Sequence, residues 1–166
     1  MDLHGELGPA RTSFSLVAAR AGVQRNTLYA HFPDERSLLL ACSALSLERD
    51  PLPESRAWAD IADRDARLRT GIAAIHAWYR RNAELAGCVL RDAEFHPLVQ
   101  EIAALRYGPS MAAYNTVLGM DLAPMQRAML RLALSYPTWR TLVHECALAP
   151  ADAVEAMVGA IRDAGK

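Results

Sequence analysis

Apolar residues recur with helical spacing throughout the chain, and no segment alternates with the two-residue period of a half-buried strand. From Asp34 to Leu47, the residues Leu38, Leu39, Cys42 and Leu45 share one helical face. Asp34 after Pro33 is an N-cap, and Pro51-Leu52-Pro53 stops that helix because proline lacks a donor. A longer helix is expected from Ala57 or Asp65 to Ala86, with Leu68, Ile72, Ile75, Tyr79 and Asn82 on one face and Gly87 at its end. A shorter one is expected around Phe95–Tyr107, and another from Pro109 to Leu118, closing at Gly119. Met125, Met129, Leu132, Tyr136, Trp139 and Val143 mark a further helix, kinked at Pro137. In the last, Ala151–Arg162, Val154, Met157, Val158 and Ile161 recur at i, i+3, i+4 and i+7. The expected fold class is all-α. Asp50–Ser55 is the only linker-like stretch, so a small N-terminal head (1–47) precedes a larger helical body (48–166).

The head carries the most specific pattern. Ser13 can cap a helix whose inner face is Leu16 or Val17, Ala18 and Ala21, with Ala18 small where a second helix must cross. Gly22 can take the left-handed conformation of a tight interhelical turn. Val23 plugs the corner, and Leu28 and Phe32 anchor a second helix on the same core. That helix is left with Gln24, Arg25, Asn26, Thr27, Tyr29 and His31 facing outward, side chains that hydrogen-bond to phosphates and base edges. This is a helix-turn-helix pattern, and the partner it implies is double-stranded DNA.

Composition narrows the classes. The net charge is −1, so the chain is no polycation, but Arg11, Arg20 and Arg25 lie in a segment without an acid between residues 11 and 31. Residues 1–20 show no apolar run after a basic start, and no stretch approaches the ~18 residues of a membrane span, so a cytoplasmic protein without membrane contact is expected. Cys42, Cys88 and Cys146 have no metal-ligand spacing and read as free thiols. Neither a Walker loop, H-E-x-x-H, G-x-S-x-G nor a dinucleotide glycine fingerprint is present. Asp92, Glu94 and His96 are close in sequence but fall on different sides of a helix. No metal, cofactor or catalytic residue is therefore expected.

Residues 8–39 resemble the DNA-binding head of the TetR family of transcriptional regulators. Gly8-Pro9-Ala10-Arg11-Thr12-Ser13-Phe14-Ser15-Leu16-Val17-Ala18 is similar to that family's Gly-x-x-x-Thr-Ser/Thr-Val-x-x-Ile-Ala. Ala21-Gly22-Val23, Thr27-Leu28-Tyr29 and His31-Phe32-Pro33 match its most recognisable stretch. The resemblance implies that Gln24–Phe32 is the recognition helix, with Arg25, Asn26 and Thr27 facing bases and Ser13, Tyr29 and His31 gripping the backbone. Two departures stand out. Glu35, followed by Arg36, occupies the place of a lysine that meets a phosphate in the family. Only residues 1–7, interrupted by Gly5, precede Gly8, so the head's first helix is expected to be largely missing, exposing Leu16, Val17 and Leu28.

Beyond residue 40 the resemblance is weaker, although Trp78–Asn82, Val89–Asp92 and Leu134–Val143 are similar to one actinobacterial-style branch of the family. In such proteins the last two helices form a homodimer. Met129, Leu132, Val154, Met157, Val158 and Ile161 supply the apolar surface for it. Ile75, Tyr79, Asn82, Met111, Tyr114 and Trp139 are expected to line a cavity for a small lipophilic effector. The leading expectation is a homodimeric repressor released from a palindromic operator by that effector. A TetR-like ligand-binding dimer that has lost DNA binding, or an all-α enzyme on a borrowed fold, remain open.

Overall fold

The computed structural model describes residues 2–165 and is all-α, with no strand among them. The head begins with α1 (Asp2–Glu6), a 3-10 turn (Pro9–Arg11), α2 (Phe14–Ala21), α3 (Arg25–His31) and α4 (Glu35–Arg49). Asp34 caps α4 in a reciprocal box: its carboxylate accepts the Ser37 N–H at 2.7 Å, and the Ser37 hydroxyl lies 3.4 Å from the Asp34 N–H.

The expected long helix is divided into α5 (Arg56–Ala59), α6 (Arg64–Arg81) and α7 (Ala83–Ala93). Asp63 caps α6 by accepting the Ala66 N–H. The break comes at Asn82, while Gly87, read as a terminator, lies inside α7. The two expected segments 95–107 and 109–118 are one helix, α8 (Pro97–Leu118), which passes through Pro109. The carbonyl that Pro109 leaves without its helical donor belongs to Leu105, itself exposed, so water can replace the bond. Pro137, read as a kink, instead starts a helix. After α9 (Pro124–Ala133), the Ser135 hydroxyl accepts the Thr138 N–H and opens α10 (Tyr136–Arg140), with Pro137 where no N–H is needed. A π-helical turn, Thr141–Glu145, and α11 (Pro150–Asp163) complete the chain.

Two compact units emerge. The first comprises residues 1–51 and 82–108, so the head's helices share a core with α7 and the first half of α8. Leu39, Val99 and Ile102 are its buried centre, flanked by Leu40, Val89, Ala93 and Leu98. The second comprises residues 52–81 and 109–166. There α11 packs on α6 and α9, burying Leu68, Ile72, Leu130, Val158 and Ile161. No helix among the described residues is long and apolar enough to cross a membrane.

Candidate nucleic-acid interface

The geometry of the head follows from three local decisions. Ser13 is extended and its hydroxyl accepts the Leu16 N–H at 3.3 Å, fixing the start of α2. Gly22, at φ 68 and ψ 25, ends α2 in the left-handed region, and the Val23 N–H reaches back to the Ala18 carbonyl. Gln24 is again extended and α3 begins at Arg25. Ala18 and Leu28 are buried where the two helices meet. Leu28 was expected to lose its cover, yet it is buried; Val17 is half-buried and Leu16 is exposed at 42 %.

All seven residues expected to meet DNA, Ser13, Gln24, Arg25, Asn26, Thr27, Tyr29 and His31, are exposed. Two of the seven, Arg25 and Tyr29, form a stack with the half-buried Phe14 that the sequence pattern did not disclose. The Phe14 and Tyr29 rings are parallel to within 7° at 4.6 Å. The Arg25 guanidinium lies 5.3 Å from the Tyr29 ring centre and donates to its hydroxyl at 2.9 Å. A guanidinium held in this way has less rotamer entropy to lose on meeting an acceptor.

The positive patch is smaller than three arginines suggested. Arg20 is held by both oxygens of Glu6, at 2.9 and 3.2 Å, a pairing invisible to a window that starts at Arg11. Arg36, the neighbour able to offset Glu35, donates twice to Glu101. Glu35 itself is exposed at the start of α4.

The first helix is short but present. α1 packs on α7, with the Cys88 thiol 3.2 Å from the Gly5 carbonyl, so Gly5 lies within the helix rather than interrupting it. The connection to α2 is locked by Asp92, only 1 % exposed on α7. Its carboxylate accepts the Ala10 N–H at 3.0 Å and pairs with Arg91, which also donates to the Leu7 carbonyl. Gly8 sits against this pair at φ 94. The Thr12 hydroxyl donates to the Gly8 carbonyl at 2.7 Å. Asp92 therefore serves the head's framework. His96 Nδ1 faces the Val99 N–H at 3.4 Å at the start of α8, and Glu94 is exposed.

The six residues expected around an effector do not converge. Ile75, Tyr79 and Trp139 are core of the second unit; the Tyr79 ring is 5.9 Å from Trp139 and its hydroxyl donates to the Leu134 carbonyl. Tyr114 packs on Trp58 and donates to the Pro53 carbonyl, and burial pushes its hydroxyl up to about 12. Met111 is half-buried, and Asn82 belongs to the first unit, where it donates to Asp50. Of the six, Trp139 borders one groove of the second unit, about 390 Å³, and Tyr114 borders a separate, more open one of about 360 Å³.

The expected dimer residues divide as well. Val154, Val158 and Ile161 are buried against their own protomer's helices; Val158 and Ile161, at 0 % exposure, offer a partner no surface, and Val154 shows only a small edge to the Trp139 groove. A terminal helix needs an apolar face for its own core, and that need accounts for their spacing. Met157 and Met129 are half-buried, while Leu132 and Met125 are exposed at 51 % and 60 %.

Residues 1–42 match the family model of the bacterial regulatory proteins of the tetR family. No curated protein matches the chain.

Proposed function

We propose that this chain, whose residues 1–42 match the tetR-family DNA-binding model, is a homodimeric transcriptional repressor that grips a palindromic operator and is released by a small effector held in the body. The observation that carries this reading is the outward row on α3. A left-handed glycine turn and a capped α2 present Gln24, Arg25, Asn26 and Thr27 together, on a helix anchored through Leu28. Two such helices related by a two-fold axis meet half-sites roughly one turn of DNA apart.

Support for self-association comes from α9. Met125, Met129 and Leu132 form a stripe at i, i+4 and i+7, with Met125 and Leu132 largely uncovered. We place the dimer contact on that stripe and Met157, in place of Val154, Val158 and Ile161. The direct experiment is selection of bound fragments from the source genome by the purified chain. An enriched palindrome supports the reading, and no enrichment at low salt, where phosphate contacts are strongest, refutes it. A head that has lost DNA binding is the second reading, favoured by Glu35 at a phosphate position and by the engagement of Arg20 and Arg36 with carboxylates. Under it, Glu35→Lys fails to restore any binding.

A further inference from the structure

The second unit contains a groove walled by α6, α10 with the π-helical turn, and the start of α11. At about 390 Å³ it falls within the roughly 300–1,000 Å³ of small-molecule sites; a cavity of about 50 Å³ in the first unit falls far short, and a second groove of about 360 Å³ beside Pro53 and Tyr114 is shallower and more open to solvent. Most of the lining is apolar: Trp139, Val143, Val154 and several alanines. Besides an Arg69–Glu155 pair, three polar features break that lining, and each specifies a ligand group.

The first is His76, which borders the groove and is only 4 % exposed. Its Nε2 lies 2.9 Å from the Ala133 carbonyl, which can only accept, so Nε2 carries the proton. Nδ1 is then a bare acceptor, buried and without a hydrogen-bond partner among the described residues. A buried acceptor left unpaired is costly, so the site asks for a donor, a hydroxyl or an N–H. The second is Arg80 on the rim, exposed and in no ion pair among the described residues. The third is the start of α11, whose Pro150 and Ala151 line the groove. Ala149 offers no side-chain cap, so the first N–H groups of this 14-residue helix are open to a ligand, with the exposed Asp152 of the same turn as a carboxylate beside them. Glu155, the one acid on the lining, is already spent on Arg69 at 2.6 Å. The wall also carries irregular backbone: Val143 lies in the π-helical turn, and Ala147 beyond it takes φ 53. π-Helical turns are rare and concentrate at functional sites.

We propose that this groove binds an apolar monoanion bearing one hydroxyl or N–H donor, its body on Trp139, Val143 and Val154, its anionic end at Arg80 and the start of α11, and its donor on His76 Nδ1. That this ligand is the effector rests on the regulator reading above; the binding itself does not.

Two fluorescent probes separate the parts. 1-Anilinonaphthalene-8-sulfonate has an aromatic body, an N–H and a negative charge, and N-phenyl-1-naphthylamine differs only in lacking the charge. The full chain should bind the anion more tightly. Arg80→Gln should weaken the anion roughly tenfold while leaving the neutral probe within about twofold. Glu155→Gln, which removes a like charge and frees Arg69, should tighten the anion. Ala151→Trp, at an exposed position on the rim, should block both probes with an unchanged thermal melt. Equal anion affinity in the parent, Arg80→Gln and Ala151→Trp proteins would place the probe elsewhere and overturn the proposal. Binding with these signatures but without release of operator DNA sustains the groove and counts against the effector role alone.

Discussion

Replacing Gly8 by alanine should destabilise the head through two separable costs. At φ 94 and ψ 153, Gly8 occupies a region that side chains avoid, which costs an alanine about 1–3 kcal/mol. Its new Cβ would also lie 2.3 Å from Asp92 Oδ2 and 2.4 Å from Arg91 Nη2. Arg91 is half-exposed and can swing away, but Asp92 is buried and bonded to the Ala10 N–H. Moving it forfeits a hydrogen bond to a charged group, about 1.5–3 kcal/mol. The two costs sum to about 2.5–6 kcal/mol, a large part of the ~5–15 kcal/mol that holds a typical domain together. Asp92→Ala alone should lose the bond only. In the double variant the clash disappears and the bond is lost once, so the double should cost about 1.5–3 kcal/mol less than the sum of the singles. Urea unfolding followed by circular dichroism measures the cycle, and hydrogen exchange at Ala10 localises it. Additivity within about 0.5 kcal/mol would show that Asp92 does not hold the turn against Gly8.

Arg25→Ala and Thr27→Ala should each cost about 1–3 kcal/mol on the true operator and relax specificity at particular bases in a binding-site selection. Phe14→Leu should mimic a milder Arg25→Ala by unstacking Tyr29, whereas an operator affinity equal to the parent's would make the stack irrelevant to DNA. In sedimentation, Leu132→Asp should yield folded monomers, whereas Val158→Asp should unfold the protomer, because one charge lands on the exposed stripe and the other in the core. A folded monomeric Val158→Asp protein would reverse that assignment. Burial holds the His4 and His76 imidazoles below their usual 6.5, so each is neutral in the fold at a pH where the unfolded chain is already protonated. Their contribution to stability is complete above pH ~6.5 and is lost as pH falls toward the depressed folded values, so thermal melts should drop from pH 7.5 to 5.5. His4→Gln should flatten that drop, and a melt independent of pH across this window would contradict the burial argument.

Local physics was enough for the helix-turn-helix. The Ser13 cap, the glycine at the αL turn, small Ala18 and the Leu28 anchor act within about twenty residues, and their spacing states the geometry outright. The same holds for the Asp34 cap and the face of α11. The prolines were ambiguous because a ring that lacks a donor can open a helix, as at Pro137, or ride through one where the orphaned carbonyl meets water, as at Pro109. Which occurs depends on what surrounds that carbonyl.

What only the tertiary structure decided was the partner of each polar group and the side from which each apolar face is covered. Periodicity shows that Val154, Val158 and Ile161 share a face, but not whether α6 or a second protomer lies on it. Charge counting finds three arginines but not that Glu6 closes on Arg20 or Glu101 on Arg36, since such pairs join residues 14 and 65 positions apart. Asp92 looked like one acid in a loose cluster until the fold brought it, across 82 positions, onto the Ala10 N–H. Side-chain types and helical phase are local properties, readable along the chain. Burial and pairing are long-range, set by how the helices cross.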